Sequence, residues 1–148
     1  MAAPGFITPQ RATRSRPVRR FTLDQANRAL PLVQRIVSDI VRQHAVTSAC
    51  RESMESTTVA KELASMQTEL DRAVARLEEL VDELTEVGVE LKDYETGLVD
   101  FVGRHDGRDV YLCWKLGEER ITHWHELNAG FAGRKPVSLL REREKERT

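Results

Sequence analysis

The residues most able to do chemistry lie in the C-terminal half of the chain, where imidazole, thiol and carboxylate side chains occur close together. His123 and His125 are two positions apart, so both rings point to the same side if the segment is a β-strand. Asp100, Cys113 and Glu118 precede them within the same region. Carboxylate, thiolate and imidazole are ligands that suit zinc or iron, so these five residues form a candidate transition-metal site.

Whether these side chains meet depends first on the turn at Asp106-Gly107. Both residues tolerate the positive φ of a two-residue hairpin turn, which predicts that His105 pairs with Arg108. In that register Asp100 lies opposite Cys113 on a mixed face that also holds Val102 and Tyr111. The other face is apolar and should pack on helices; it pairs Phe101 with Leu112 and Val99 with Trp114.

The next turn leaves two registers open. If Gly117-Glu118 alone forms the loop, the two histidines go to the apolar face, and the face of Asp100 receives Thr122, Trp124 and Glu126. If Glu119 belongs to the loop as well, the register shifts by one residue and His123 and His125 join Asp100 instead. The candidate site therefore depends on one residue of loop length.

Upstream of this region the sequence predicts a first helix in two parts. Thr22 followed by Gln25 has the spacing of a capping box, which predicts a helix start at Leu23. Pro31 lacks an amide proton and clashes with the preceding turn, so we expect a short helix over residues 23–30 that kinks and restarts at Pro31. A helical stripe follows, made of Val33, Val37, Ile40 and His44.

A second helix is predicted by a heptad pattern that ends at Gly88, a favourable C-terminal cap. We place the reversal between the two helices near residues 55–58. The heptad positions are Leu63, Leu70, Leu77 and Leu84, with Met66, Ala73, Leu80 and Val87 between them. Two antiparallel helices alone leave flanking apolar side chains uncovered, among them Ile36, Val41, Val74 and Val81. We therefore expect a homodimer through the helical hairpin, in a four-helix arrangement.

The length of 148 residues fits one domain. We predict an α+β fold, in which a long antiparallel helical hairpin is followed by a small antiparallel β-meander of three or four strands. Residues 1–20 carry five arginines and no acid, and are expected to be a disordered basic arm. Residues 21–140 form the domain, with the hairpin at 21–87, a β-rich cap at 88–136 that ends in an irregular segment from 128 onwards, and a charged tail at 141–148.

The charges nearly balance, with 23 basic and 24 acidic residues, so the chain offers no field for nucleic acid or an anionic membrane, and we expect neither as a partner. No apolar run approaches the roughly 20 residues of a membrane span. The two cysteines form no Cys-x-x-Cys pair, which indicates reduced thiols and a cytoplasmic protein. No phosphate-binding loop, nucleophile elbow or His-Glu-x-x-His helix is present.

Several motifs resemble a bacterial family known as domain of unknown function 2203, over residues 21–137. They are Phe21-Thr-Leu-Asp-Gln-Ala-Asn, Leu30-Pro-Leu-Val33, Gly88-Val-Glu-Leu-Lys-Asp93, Gly97-Leu-Val-Asp-Phe101, Asp106-Gly-Arg108, Leu112-Cys-Trp-Lys-Leu-Gly-Glu118, Trp124-His125 and Gly130-Phe-Ala-Gly-Arg134. The resemblance implies a bacterial cytoplasmic protein, but the family has no established activity to carry over. It places His123 outside the family pattern and five residues inside it, namely Asp100, Cys113, Glu118, His125 and Arg134.

Two functional hypotheses follow. The favoured one is a non-enzymatic, dimeric interaction or assembly module, because no catalytic set is complete and the heptad needs a partner. The alternative is a metal-binding protein, a hydrolase or redox enzyme, with zinc or iron on the C-terminal sheet. Its site uses His125 and Asp100 with Cys113, Glu118 or His123.

Overall fold

A computed structural model describes residues 17–142, in which two long helices precede a five-stranded antiparallel sheet. The predicted α+β class is therefore confirmed. Residues 1–16 and 143–148 lie outside the described residues, and with them most of the predicted arm and tail.

Helix α1 runs without interruption over Leu23–Glu55. The capping box is present, since the Thr22 side chain accepts from the Gln25 amide and the Gln25 side chain accepts from the Thr22 amide. The predicted break at Pro31 is wrong, because the helix continues through the proline. Pro31 lies on the exposed side of a helix whose other side is buried along most of its length, so packing outweighs the one lost hydrogen bond.

Helix α2 spans Ala60–Val87, and the reversal at residues 56–59 confirms the expected turn region. Gly88 ends the helix at φ 100°, as its sequence position predicted. The heptad ridge is buried unevenly. Leu80 and Leu84, next to the sheet, are 2% and 0% exposed, whereas Leu63, Met66 and Leu70 at the far end remain partly exposed.

The sheet has the strand order β1-β2-β3-β4-β5. Its strands are β1 Val89–Asp93, β2 Leu98–His105, β3 Arg108–Lys115, β4 His123–His125 and β5 Lys135–Pro136. The predicted count of three or four strands is too low, because β5 lies in the segment expected to be irregular. Two residues are enough for this strand, since it only adds an edge to β4.

The β2–β3 hairpin has the predicted register. Asp106 and Gly107 form the turn with φ of 51° and 81°, and His105 pairs with Arg108. All the pairs expected along the two strands are present, including Asp100 opposite Cys113 and Phe101 opposite Leu112. A correct turn assignment therefore placed every side chain of this hairpin on its observed face.

The β3–β4 pair resolves the two open registers in favour of the shifted one. Tyr111 lies opposite His125 and Cys113 opposite His123, so both histidines share the face of Asp100. The loop itself is longer than either expectation, because strand pairing stops after Lys115 and resumes at His123. The loop folds back on the protein, where Trp114 Nε1 donates to the Glu118 carbonyl at 3.0 Å.

The core lies between the helices and the apolar face of the sheet. Its largest fully buried side chains include Trp114, Trp124 and Phe101. The sheet also covers part of the helix surface for which a partner was expected, since Ile36 is 5% exposed and Val41 and Val81 pack against the core. Within residues 17–142, no helix combines the length and the apolar character needed to cross a bilayer.

Both described ends contact the domain. The Arg20 guanidinium pairs with Asp109 at 2.8 Å, and Arg19 donates to the carbonyl of Val87. At the other end, the Glu142 carboxylate accepts from the amide of Leu23 at the start of α1. Arg19, Arg20 and Glu142 belong to the predicted arm (1–20) and tail (141–148), so the described parts of both segments are held on the sheet and the helices.

Candidate metal centre

Three potential metal ligands meet on the outer face of the sheet, one from each of the strands β2, β3 and β4. They are Asp100, Cys113 and His125, and their donor atoms all lie within 4.8 Å of one another. Period-two alternation puts the three side chains on the face away from the helices. All three are nevertheless buried, at 3%, 1% and 3% exposed.

The hydrogen bonds of His125 fix how its ring presents itself to the cluster. Nδ1 lies 2.8 Å from the Glu126 carbonyl, which can only accept, so Nδ1 carries a proton. In the neutral ring Nε2 then has a free lone pair, and it points at Asp100 Oδ1, 3.3 Å away. Two acceptors facing each other repel unless a proton or a cation lies between them. A main-chain carbonyl on the far nitrogen is also the usual way in which a metal-binding histidine is oriented.

The spacing of the two acceptors suits a metal. Zinc bonds of about 2.0–2.1 Å to nitrogen and oxygen, at the tetrahedral angle, put the two donors about 3.3 Å apart. The same geometry requires about 3.6 Å between a thiolate and either of the others. The observed 3.3 Å is, in contrast, longer than the roughly 2.7–2.9 Å of a charge-assisted hydrogen bond.

Burial disfavours negative charge at both acidic members of the cluster. Desolvation raises the pKa of Asp100, although His125 and Lys92 oppose the rise. Desolvation and the charge of Asp100 raise the pKa of the Cys113 thiol to about 11, against a hydrogen bond from Arg134 that lowers it. A bound divalent ion would favour the negatively charged form of both groups. A thiol that coordinates such an ion is deprotonated outright.

The cluster forms one wall of a cavity of about 170 Å³. The remaining lining residues are Lys92, Leu98, Tyr111, Leu127, Gly130 and Phe131. A site with three protein ligands beside open space resembles catalytic metal centres, which keep one coordination position for water or substrate.

The other two candidate ligands lie outside the cluster. His123 pairs with Cys113 on the same face, but it is half-exposed and its Nδ1 lies 2.9 Å from the Thr122 hydroxyl. The Glu118 carboxylate accepts from the Lys115 amide at 3.0 Å, so it caps the loop, and it also pairs with Arg134 at 3.5 Å. Because Arg134 also hydrogen-bonds to Cys113, Glu118 influences the Cys113 thiol indirectly and is not itself a member of the cluster.

Sequence reasoning gave no role at the site to Lys92. This residue occupies a β-bulge in β1, between Leu91 and Asp93, and its ammonium group lies 4.7 Å from the Tyr111 ring centroid. Simple alternation along β1 puts Lys92 on the same face as Glu90. Because Glu90 pairs with Asp100, the β1–β2 register was the signal that could have placed Lys92 beside the cluster.

The arrangement does not suit covalent catalysis by Cys113. A Cys-His-Asp relay needs one ring nitrogen on the sulfur and the other on the carboxylate. In this cluster a single nitrogen of His125, Nε2, faces the centre, and Nδ1 is engaged by the main chain. Because burial also raises the pKa of the Cys113 thiol to about 11, the arrangement favours coordination over nucleophilic attack.

Residues 19–137 match a family model whose description is "Uncharacterized conserved protein (DUF2203)". The family expected from the motifs is therefore confirmed, over almost the same range. Neither a curated protein nor a solved structure matches the chain.

Proposed function

Because the chain belongs to the uncharacterised conserved family DUF2203, which carries no assigned activity, we propose its function from the site: it binds a divalent transition metal through Asp100, Cys113 and His125. One observation carries the proposal. The lone pair of His125 Nε2 and a carboxylate oxygen of Asp100 face each other at 3.3 Å in a buried setting, and a thiol completes the donor set.

The donor set favours zinc, with iron as the second choice, because it joins one thiolate and one imidazole to one carboxylate. A metal here would act as a Lewis acid on whatever occupies the cavity, which is the role of open three-ligand sites. A hydrolytic reaction fits such a centre, and a redox reaction would require iron in place of zinc.

The test is metal binding by variants matched in pairs. We would purify the protein without chelator, measure its metal content, and titrate the stripped protein with zinc against a chromophoric chelator. Cys113→Ser should lose most of the zinc affinity, whereas Cys50→Ser on α1 should keep it. Binding of less than one equivalent by the wild type, or equal affinity in the two variants, would contradict the proposal.

A second proposed function is self-association through the far end of the helical hairpin. The observation that favours it is the uneven burial of the heptad ridge, since Leu63, Met66 and Leu70 stay partly exposed, and Val46 and Val59 nearby are 50% and 49% exposed. A second copy of the same surface would bury this end and give the four-helix arrangement.

Light scattering at micromolar concentration tests self-association. The wild type should have twice the chain mass, and Leu70→Lys should be monomeric because it puts a charge in the seam. Gln67→Lys adds the same charge to an exposed position of the same helix and should remain dimeric. A monomeric wild type would rule out this second function and leave the metal site unaffected.

The proposed metal site also bears on the compartment and the partners of the protein. A free thiol as a zinc ligand suits a reducing compartment, so we assign the protein to the bacterial cytoplasm. We assign no nucleic-acid partner, because the formal net charge is only −1.

A further inference from the structure

The cavity beside the three ligands has walls of two kinds. Leu98, Leu127 and Phe131 contribute apolar surface, and Leu127 and Phe131 at the mouth are 52% and 42% exposed. The volume of about 170 Å³ lies well below the roughly 300–1,000 Å³ of pockets that hold drug-sized ligands. The occupant must therefore be small and partly apolar.

Among the described residues that line this cavity, Lys92 is the only lysine or arginine. Its Nζ lies 3.0 Å from Glu90 Oε1 and above the Tyr111 ring, and its charge reaches Asp100. An ammonium group has three donors, so it can bind a ligand oxygen while it keeps the contact with Glu90. The Glu90 side chain is 45% exposed, and water screens its charge more than that of a buried group.

The formal charges decide which ligand the cavity accepts. A divalent ion held by a carboxylate, a thiolate and a neutral imidazole makes a centre of zero net charge. On the outer side Arg134 is balanced by Glu118. Lys92 is paired with Glu90 in the same way, but Glu90 is not among the lining residues, so the Lys92 ammonium is the charged group that faces a ligand directly and it favours a singly negative one.

We propose that the cavity binds a small monocarboxylate, whose carboxylate lies between the metal and Lys92 and whose hydrocarbon part lies against Leu98, Leu127 and Phe131. This inference rests on the proposed metal site. A phosphate would suit the cavity less well, because its second charge lacks a partner and the walls offer mostly carbon.

The experiment uses the full chain, loaded with zinc and checked for metal content beforehand, in a carboxylate-free buffer. Calorimetry compares butyrate with butyramide, which has the same shape and no charge, and then with acetate and inorganic phosphate. We expect butyrate to bind about tenfold more tightly than butyramide, the contribution of one charge-assisted contact. Acetate should bind more weakly than butyrate, by about fourfold for each missing buried CH₂.

Three variants assign the preference to Lys92. Lys92→Gln should remove most of the preference for butyrate over butyramide, and Lys92→Arg should retain it because the charge remains. Lys61→Gln, at an exposed position near the start of α2, is the matched control and should bind like the wild type.

The outcomes separate the two proposals. Failure to load zinc overturns both of them. Normal zinc loading with equal binding of butyrate and butyramide, or an unchanged preference in Lys92→Gln, overturns the monocarboxylate alone. Tighter binding of phosphate than of butyrate contradicts the single charge, and equal binding of acetate and butyrate contradicts the apolar wall.

Discussion

Two buried histidines of the sheet each have a carboxylate at the same distance, but only one of the two pairs needs a proton or a cation between its facing atoms. His125 Nε2 lies 3.3 Å from Asp100, and His105 Nε2 lies 3.3 Å from Asp106. The difference is at the other nitrogen. Nδ1 of His105 accepts from the amide of Arg141, so its neutral ring carries the proton on Nε2, the nitrogen that faces the Asp106 carboxylate.

The comparison shows that the main chain decides which of the two sites can take a metal. The His105 pair needs no metal, since a protonated nitrogen faces the carboxylate and the Arg141 guanidinium also neutralises Asp106. The His125 pair joins two acceptors in its neutral form, because a carbonyl has taken the opposite nitrogen. The amide of Arg141 therefore leaves the His105 pair with a protonated nitrogen facing its carboxylate. The Glu126 carbonyl leaves the His125 pair with two acceptors, which need a proton or a cation between them.

The largest expected contrast is in zinc affinity. His125→Asn keeps a donor for the Glu126 carbonyl but removes Nε2, and we expect the loss of a ligand to cost at least about 100-fold, since even outer-shell partners are worth about 10- to 100-fold. His105→Asn keeps an acceptor for the Arg141 amide and should bind zinc as the wild type does. Competition with a chromophoric chelator measures both variants, and equal losses in the two would erase the distinction.

The second contrast is the stability of the metal-free protein with one carboxylate made neutral. In Asp100→Asn the new amide can donate to His125 Nε2, so this variant should be at least as stable as the wild type. Asp106→Asn should lose about 1 kcal/mol, because His105 Nε2 and the Arg141 guanidinium then face an uncharged side chain in place of a carboxylate. Urea unfolding in the presence of a chelator measures both changes.

The Asp100→Asn result also separates a metal site from a buried ion pair. If His125 were doubly protonated and paired with Asp100, removal of one partner would leave a buried charge and cost about 3–5 kcal/mol. Such a loss would show that a proton, and not a metal, occupies the space between the two residues.

The sequence predicted which side chains share a face of the sheet, but it did not predict which nitrogen of each histidine ring bonds to the main chain. The turn at Asp106-Gly107 placed Asp100 opposite Cys113 because positive φ and strand alternation are local rules. The loop before β4 left two registers open, since its ordered path depends on distant contacts such as the hydrogen bond from Ile121 to Asn27. No local rule assigns Nδ1 of His125 to a carbonyl and Nδ1 of His105 to an amide.

The helical half shows the same division between local and tertiary causes. The capping box and Gly88 marked helix ends correctly, because both act within one turn. The predicted break at Pro31 was wrong because packing of the buried face of α1 decides whether the helix continues. The position of Lys92 beside the cavity likewise depends on the pairing of Glu90 with Asp100, which is a tertiary contact and not a local signal.

A third and smaller contrast is the pH dependence of stability that His105 contributes. Burial lowers the pKa of His105 below the ordinary 6.5, against Asp106, which raises it. Below about pH 6.5 the unfolded chain therefore binds more protons than the folded protein at this residue. The contribution of His105 to stability is complete above that pH and is lost as the pH falls through the folded pKa.

Chemical unfolding of the metal-free protein between about pH 7.5 and pH 5.5 measures this dependence. His105→Asn should flatten the curve by less than the roughly 1.4 kcal/mol per pH unit that one proton can contribute. All other groups titrate in both proteins, so the difference between the curves belongs to His105. If the stability curves of the wild type and His105→Asn run parallel, protonation of His105 does not change the stability of the folded protein.

The smallest expected effect distinguishes His123 from its neighbour two positions on. Both rings lie on the face of Asp100, although the family resemblance includes only His125. His123 is half-exposed and hydrogen-bonded to Thr122, outside the cluster of donors. His123→Ala should therefore change zinc affinity by less than about twofold, which is the scatter expected for a surface substitution of about 0.5 kcal/mol. A loss close to that of His125→Asn would mean that the centre has a fourth protein ligand, and a metal closed in this way would have no position left for a carboxylate.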